Sequence, residues 1–134
     1  MQALQQRSME ESFVVLLATG DRLISEELNR VLRRQQVELL IFDNARDMLL
    51  AITERPIHLI VFDSSIELKG MGILTLLRNF WPQARVIAME DDFSFEKQEA
   101  LARAGVLYQI QKPMNPQHLS HVVEKVVEKL YRRR

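Results

Sequence analysis

The chain reads as one α/β domain, a doubly wound sheet of five parallel strands in the order 2-1-3-4-5 with helices on both faces. Three observations predict it. Five short runs rich in Val, Ile and Leu alternate along the chain with helical patterns, and strict alternation builds a parallel sheet covered on both sides. Most of these runs are continuously apolar, as strands buried on both faces are. Cap and turn residues fall at the joints. Right-handed crossovers then restrict the winding to a few orders, and 2-1-3-4-5 is the expected one.

The first strand is read at Phe13–Ala18. Asp21 follows it as a helix N-cap, its side-chain oxygen suited to orphan backbone N–H groups. The helix behind it carries Leu23, Ile24, Leu28, Val31 and Leu32 at helical spacing. The second strand is Val37–Phe42, followed by the cap Asn44 and an apolar stripe of Met48, Leu49, Leu50 and Ile52. The third strand is read at Ile57–Phe62. Its helix carries Ile73, Leu74, Leu76, Leu77 and Phe80 and stops before Pro82. The fourth strand, Arg85–Met89, leads to a weaker stripe of Phe95, Ala100, Leu101 and Ala104, closed by Gly105 where a left-handed residue is wanted. The fifth strand is Leu107–Gln111. Asn115 and Pro116 are a cap and a first helical position, opening a last helix with Leu119, Val122, Val123, Val126, Val127 and Leu130. Residues 1–12 are read as a mobile N-terminal arm and 13–134 as the domain.

Composition narrows the function. A length of 134 residues suits one domain, and its size allows one real core. Eighteen basic and eighteen acidic residues cancel, so no electrostatic footprint for nucleic acid or an anionic membrane is expected. The absence of cysteine removes disulfides, a thiol nucleophile and thiolate metal ligands. No stretch is long enough to span a bilayer, and the first dozen residues lack the apolar centre of a signal peptide. A cytoplasmic location is the default expectation.

In sheets of this kind, ligands and reacting groups lie at the carboxyl ends of the strands. Thr19, Gly20 and Asp21 follow the first strand there, Asp63 the third, Glu90 to Asp92 the fourth and Lys112-Pro113 the fifth. An aspartate ending a central buried strand is costly unless it is solvated, paired or used. A lysine at a neighbouring strand end is a suitable partner. Each residue alone reads as a cap or a surface ion pair; their common edge makes the set informative.

On these residues the chain resembles the receiver domains of bacterial two-component response regulators, over about residues 13–131. The specific parts are the apolar strand ending in Asp63, the Ala104-Gly105 turn, and Lys112-Pro113 seven residues after Gly105. The resemblance implies a flavodoxin-like topology, Asp63 as phosphoacceptor from a sensor histidine kinase, and Lys112 in contact with the phosphoryl group. It also implies Mg²⁺ held by an acidic pair after the first strand, with Asp63 and the Ser65 backbone carbonyl as further ligands. It implies no enzyme beyond autophosphorylation from a phosphodonor.

The chain departs from that pattern at several points. The acidic pair falls on Thr19 and Gly20, with Asp21 one position late. The Ser/Thr switch position falls on Glu90, the switch aromatic on Gln109, and the usual proline after the phosphoacceptor on Glu67. Attack of a carboxylate on a phosphoryl group brings two negative groups together, and a divalent cation offsets the repulsion. Mg²⁺ favours carboxylate and water oxygens, and Thr19 and Gly20 supply no charge, so only weak Mg²⁺ binding is expected. The expected function is therefore signal transduction through protein–protein interaction, with weak or no phosphorylation at Asp63. Glu90 is expected to pair with Lys112 and hold the switch region in one state. The alternative keeps Asp63 phosphorylated, with Asp21 or Glu67 supplying the missing charge. A distant alternative is a flavin or nucleotide domain, resting on Thr19-Gly20 before a helix N-terminus; no glycine-rich run accompanies it.

The remaining features read blandly. His118 and His121 are surface residues without a third ligand, His58 is structural, and Trp81 packs at a helix end. The apolar band of the last helix, extended by Tyr131, is either a deeply buried helix or a docking face. The expected partners of that face are a sensor kinase, an output domain or a second copy of the chain. The closing Arg132-Arg133-Arg134 suits a helix C-terminus.

Overall fold

The computed structural model describes residues 12–66 and 72–132. β1 (Phe13–Ala18), β2 (Val37–Phe42), β3 (Leu59–Asp63), β4 (Arg85–Glu90) and β5 (Tyr108–Gln111) alternate with α1 (Arg22–Leu32), α2 (Ala45–Ala51), α3 (Ile73–Phe80), α4 (Phe95–Arg103) and α5 (Pro116–Arg132). A 3-10 turn, Ser64–Ile66, follows β3. All five strands are parallel and ordered β2-β1-β3-β4-β5, as expected. β3 starts two residues later than read and runs on through Asp63, and β4 runs on through Glu90. Both carboxylates are thus the last residues of strands rather than loop residues.

The sheet divides its side chains by parity. Val14, Leu16 and Ala18 join Ile60, Phe62, Val86 and Ala88 on the face covered by α2, α3 and α4. Val15 and Leu17 join Leu59, Val61, Ile87 and Met89 on the face covered by α1 and α5. Alternation of Cβ directions along a strand forces this division. The central strands β1 and β3 are buried throughout, whereas β2 and β5, at the edges, are only partly covered.

The caps stand where the sequence places them. The Asp21 carboxylate accepts from the Leu23 and Ile24 N–H groups, and the Asn44 side chain from the Asp47 N–H. The Asn115 side-chain Oδ1 accepts from the Gln117 N–H at 2.8 Å. Ser94 caps α4 by accepting from the Lys97 N–H; the sequence reading had no cap there. Gly105 takes a φ of 85° and lies against the Arg78 guanidinium, so a Cβ there would be strained and crowded.

Several apolar residues lie off the sheet-facing stripes. Leu23, Leu50, Phe80 and Phe95 are exposed. Leu23 and Leu50 each adjoin a stripe residue, and a helix turns about 100° per residue, so a residue at the margin of the stripe is carried round toward solvent. The band on α5 is mostly consumed by the fold: Leu119, Val123, Val126 and Val127 are buried, Val122 and Leu130 partly so. The Ser120 hydroxyl ties α5 to α1 by donating to the Glu27 carboxylate at 2.9 Å. His58 is structural, its Nδ1 accepting from the Val14 N–H at 2.9 Å. The Trp81 indole donates to the Ile52 carbonyl at 2.7 Å. Among the described residues no helix is long and apolar enough to cross a membrane.

Candidate functional site

The register of the sheet brings the predicted residues to one edge. Asp63 lies opposite Met89, and Glu90 opposite Gln111. The ladders continue past the strand ends, with the Thr19 N–H donating to the Phe42 carbonyl and the Lys112 N–H to the Glu90 carbonyl. Thr19, Asp63, Glu90 and Lys112 therefore project from four strand ends in a row. The Lys112–Pro113 bond is cis.

Asp63 is 1% exposed, and both of its oxygens are engaged. The Thr19 hydroxyl donates to Oδ2 at 2.7 Å. The Lys112 ammonium donates to Oδ1 at 2.8 Å, and the Ser65 N–H to the same oxygen at 3.0 Å. Thr19, itself buried, accepts in turn from the Asp21 N–H. Thr19 thus holds Asp63 through its hydroxyl, a role the residue type alone did not disclose.

Lys112 also reaches Asp91 at 3.9 Å. The expected Glu90–Lys112 pair is replaced: the ammonium goes to Asp63, while the Glu90 carboxylate lies 3.8 Å from the Lys97 Nζ on α4. The reason is geometric, since Lys112 leaves the adjacent strand end turned toward the sheet centre, where the more deeply buried charge sits. Gln109 points to α4 and donates to the Gln98 carbonyl at 2.8 Å. Tyr108 is exposed on the opposite face, as alternation requires. Lys97 and Gln98 were not legible as site residues, because they come from a different element and carry no spacing signal. Glu67 lies outside the described residues, as do residues 1–11 of the expected arm.

Burial pushes the Asp63 carboxyl up, but the hydrogen bonds from Lys112, Ser65 and Thr19 outweigh it and hold the group below the usual carboxylate range. Burial likewise pulls the Lys112 ammonium down, and Asp63, with Asp91 and Asp21, more than reverses this. The pair is therefore ionised. A depressed carboxylate stabilises the fold above its unfolded pKa of about 3.9 and loses that contribution as pH falls through its folded value. A raised lysine stabilises below its unfolded pKa of about 10.4 and loses it as pH rises through its folded value. The stability difference between the parent and an Asp63→Asn variant should be level through neutral pH and shrink on acidification below about pH 4. Urea midpoints read across that range test this; a difference that widens in acid contradicts the depressed carboxyl.

The donor set does not fit Mg²⁺. Asp63 has both oxygens committed, Gly20 has no side chain, and Asp21 turns an oxygen to the first turn of α1. Among the described residues no group of three His, Asp or Glu side chains is placed to hold a metal. A hard cation needs several converging oxygens, and this pocket supplies an ammonium and a hydroxyl in their place. His118 and His121 are exposed, and among the described residues no third ligand joins them.

The sequence model of the family described as "Response regulator receiver domain" matches residues 15–124. The chain is 29% identical over 119 residues to the hydrogenase transcriptional regulatory protein HoxA of Bradyrhizobium diazoefficiens, covering 87% of this chain and 24% of that protein. It thus spans about a quarter of that relative's length. A CheY-like response regulator receiver domain protein from Methanospirillum hungatei superposes with a TM-score of 0.74 at 21% identity, over 92% of this chain and 99% of the other. The receiver domain of Francisella response regulator 1452 gives 0.71 at 22% identity, over 91% and 98%. Likeness at these identities speaks to the fold.

Proposed function

The chain belongs to the response regulator receiver domain family, and on that premise we propose that it signals by binding a protein partner, with weak or no phosphorylation at Asp63. Receiver domains are in general signalling modules rather than enzymes, and the family match displaces the flavin reading. The observation that carries the proposal is the closed set of contacts on Asp63: Thr19 on one oxygen, Ser65 and Lys112 on the other.

Phosphoryl transfer to a carboxylate needs a free attacking oxygen and positive charge across the transferring group. Here the attacking oxygens are held as acceptors, and the Lys112 ammonium is already engaged in neutralising Asp63. Glu90 at the switch position adds a negative charge where an arriving phosphoryl group needs a donor. These features favour a pocket that is structural over one that cycles.

The partner face we assign is the groove between the open edge of β5 and α5, a cavity of about 210 Å³ lined by Leu107, Tyr108, Val126, Leu130 and the cations Arg85 and Lys129. A sensor kinase, an output domain or a second copy of the chain would meet it there.

Intact mass after incubation with acetyl phosphate and Mg²⁺ tests the phosphorylation half of the proposal, with Asp63→Asn as control. No phosphoryl gain is expected under conditions that label an ordinary receiver. A stoichiometric gain in the parent that is absent from the control would overturn the reading and make Asp63 a working phosphoacceptor.

A further inference from the structure

Of the covering helices, α4 is the least anchored by packing. It buries Leu101 alone, whereas α1 and α3 each bury three side chains, and its first residue, Phe95, is 75% exposed. An element so sparsely packed opens at low free-energy cost unless something else holds it. Here polar contacts hold it, and they come from the two positions that the receiver pattern reserves for its switch.

Glu90 ends β4 with its side chain almost wholly buried and places its carboxylate 3.8 Å from the Lys97 Nζ, in the first turn of α4. Gln109, on β5, donates from Nε2 to the Gln98 carbonyl, the next residue of the same helix. The orientation of that amide follows from its partner: turned over, Gln109 would set its own carbonyl against that of Gln98. The turn before the helix is braced as well, with the Asp92 carboxylate accepting from the Ser94 N–H at 3.0 Å and the Gln98 Nε2 donating to the Phe93 carbonyl at 2.7 Å. Adjacent strands thus grip adjacent residues of one helix. Neither of these two side-chain contacts involves the side chain of Asp63, Thr19 or Lys112.

We propose that Glu90 and Gln109 are positioning residues that fix α4 against the sheet independently of Asp63, so that the helix presents one face constantly. The proposal rests on the preceding reading only in taking these two as the switch positions. A residue pair that ordinarily couples a chemical event to a helix has here become a permanent fastening. The partially desolvated carboxylate makes the Lys97 contact stronger than an exposed pair of the same length.

Amide hydrogen exchange on the full chain tests it, comparing residues 93–106 with β1. Lys97→Met changes a half-exposed side chain and leaves the core untouched; Gln109→Met removes the amide at similar volume. Each should speed exchange in 93–106 about three- to tenfold while β1 stays at the parent rate. Lys97→Glu, which sets a second carboxylate against Glu90, should exceed Lys97→Met. Asp63→Asn should leave 93–106 unchanged. Unchanged protection in both Lys97→Met and Gln109→Met would overturn the proposal. So would equal acceleration of 93–106 and β1, which marks global loss of stability, or acceleration by Asp63→Asn matching theirs, which marks a helix coupled to the pocket. A protein that takes up a phosphoryl group and still shows 93–106 indifferent to Asp63→Asn would refute the earlier reading alone.

Discussion

Replacing Lys112 by alanine is expected to cost the fold about 3 kcal/mol, the low end of what removing one partner of a buried ion pair does. Asp63, 1% exposed in the parent, would lose its counter-charge and keep Thr19 and Ser65 as its remaining donors. Those two hydrogen bonds keep the loss from being larger, and the partial exposure of Lys112 means that its own desolvation offsets little. The double variant Asp63→Leu/Lys112→Met should recover most of the loss, because an apolar pair of similar volume leaves no uncompensated charge. Urea denaturation of the parent, the single variants and the double variant forms a cycle. A double-variant loss equal to the sum of the single-variant losses would mean that the pair is not coupled, and the description of the pocket as a closed electrostatic unit would fail.

Gly20→Asp is expected to raise Mg²⁺ affinity by at least about tenfold over the parent, for which only weak binding is expected. A Cβ at Gly20 meets nothing within 4 Å, so the new side chain enters open space without disturbing the fold. It would add a carboxylate at the strand edge that carries Asp63 and give a cation a reason to displace Lys112. Thr19→Asp is the less suitable change, because it removes the hydroxyl that Asp63 accepts from and buries a second charge against it. Titration calorimetry of parent and variant, with urea stability as a check on folding, decides the point. Tight Mg²⁺ binding by the parent would show that Asp63 exchanges Lys112 for metal readily, and the assignment of the pocket as structural would be lost. Together the two variants separate what the pocket does for the fold from what it has given up chemically.

Much of the fold was legible because the signals behind it are local. Val14 to Leu17 and Leu59 to Val61 are continuous apolar runs, and a run of that kind has few places to go other than the middle of a parallel sheet. Asp21, Asn44, Asn115 and Gly105 act on backbone within a few residues of themselves, so their roles follow from residue type and position. Leu23, Leu50 and Phe95 misled because each adjoins or starts a helical stripe without lying on its buried side. The position of Asp63, Glu90 and Lys112 at one edge also followed from the sequence, since parallel strands with right-handed crossovers must carry their carboxyl ends to the same side.

The sequence by itself determined the architecture, the caps and the residues that meet at the strand ends: Thr19, Asp63, Glu90 and Lys112. Only the tertiary structure decided who pairs with whom. Lys112 took Asp63 rather than Glu90, Thr19 became a donor to Asp63, and Glu90 and Gln109 turned to Lys97 and Gln98 on α4. The physical reason is that secondary structure follows from interactions among near neighbours in the chain. The choice between two carboxylates a strand apart depends on side-chain direction and burial, and these exist only once the sheet has brought distant residues together.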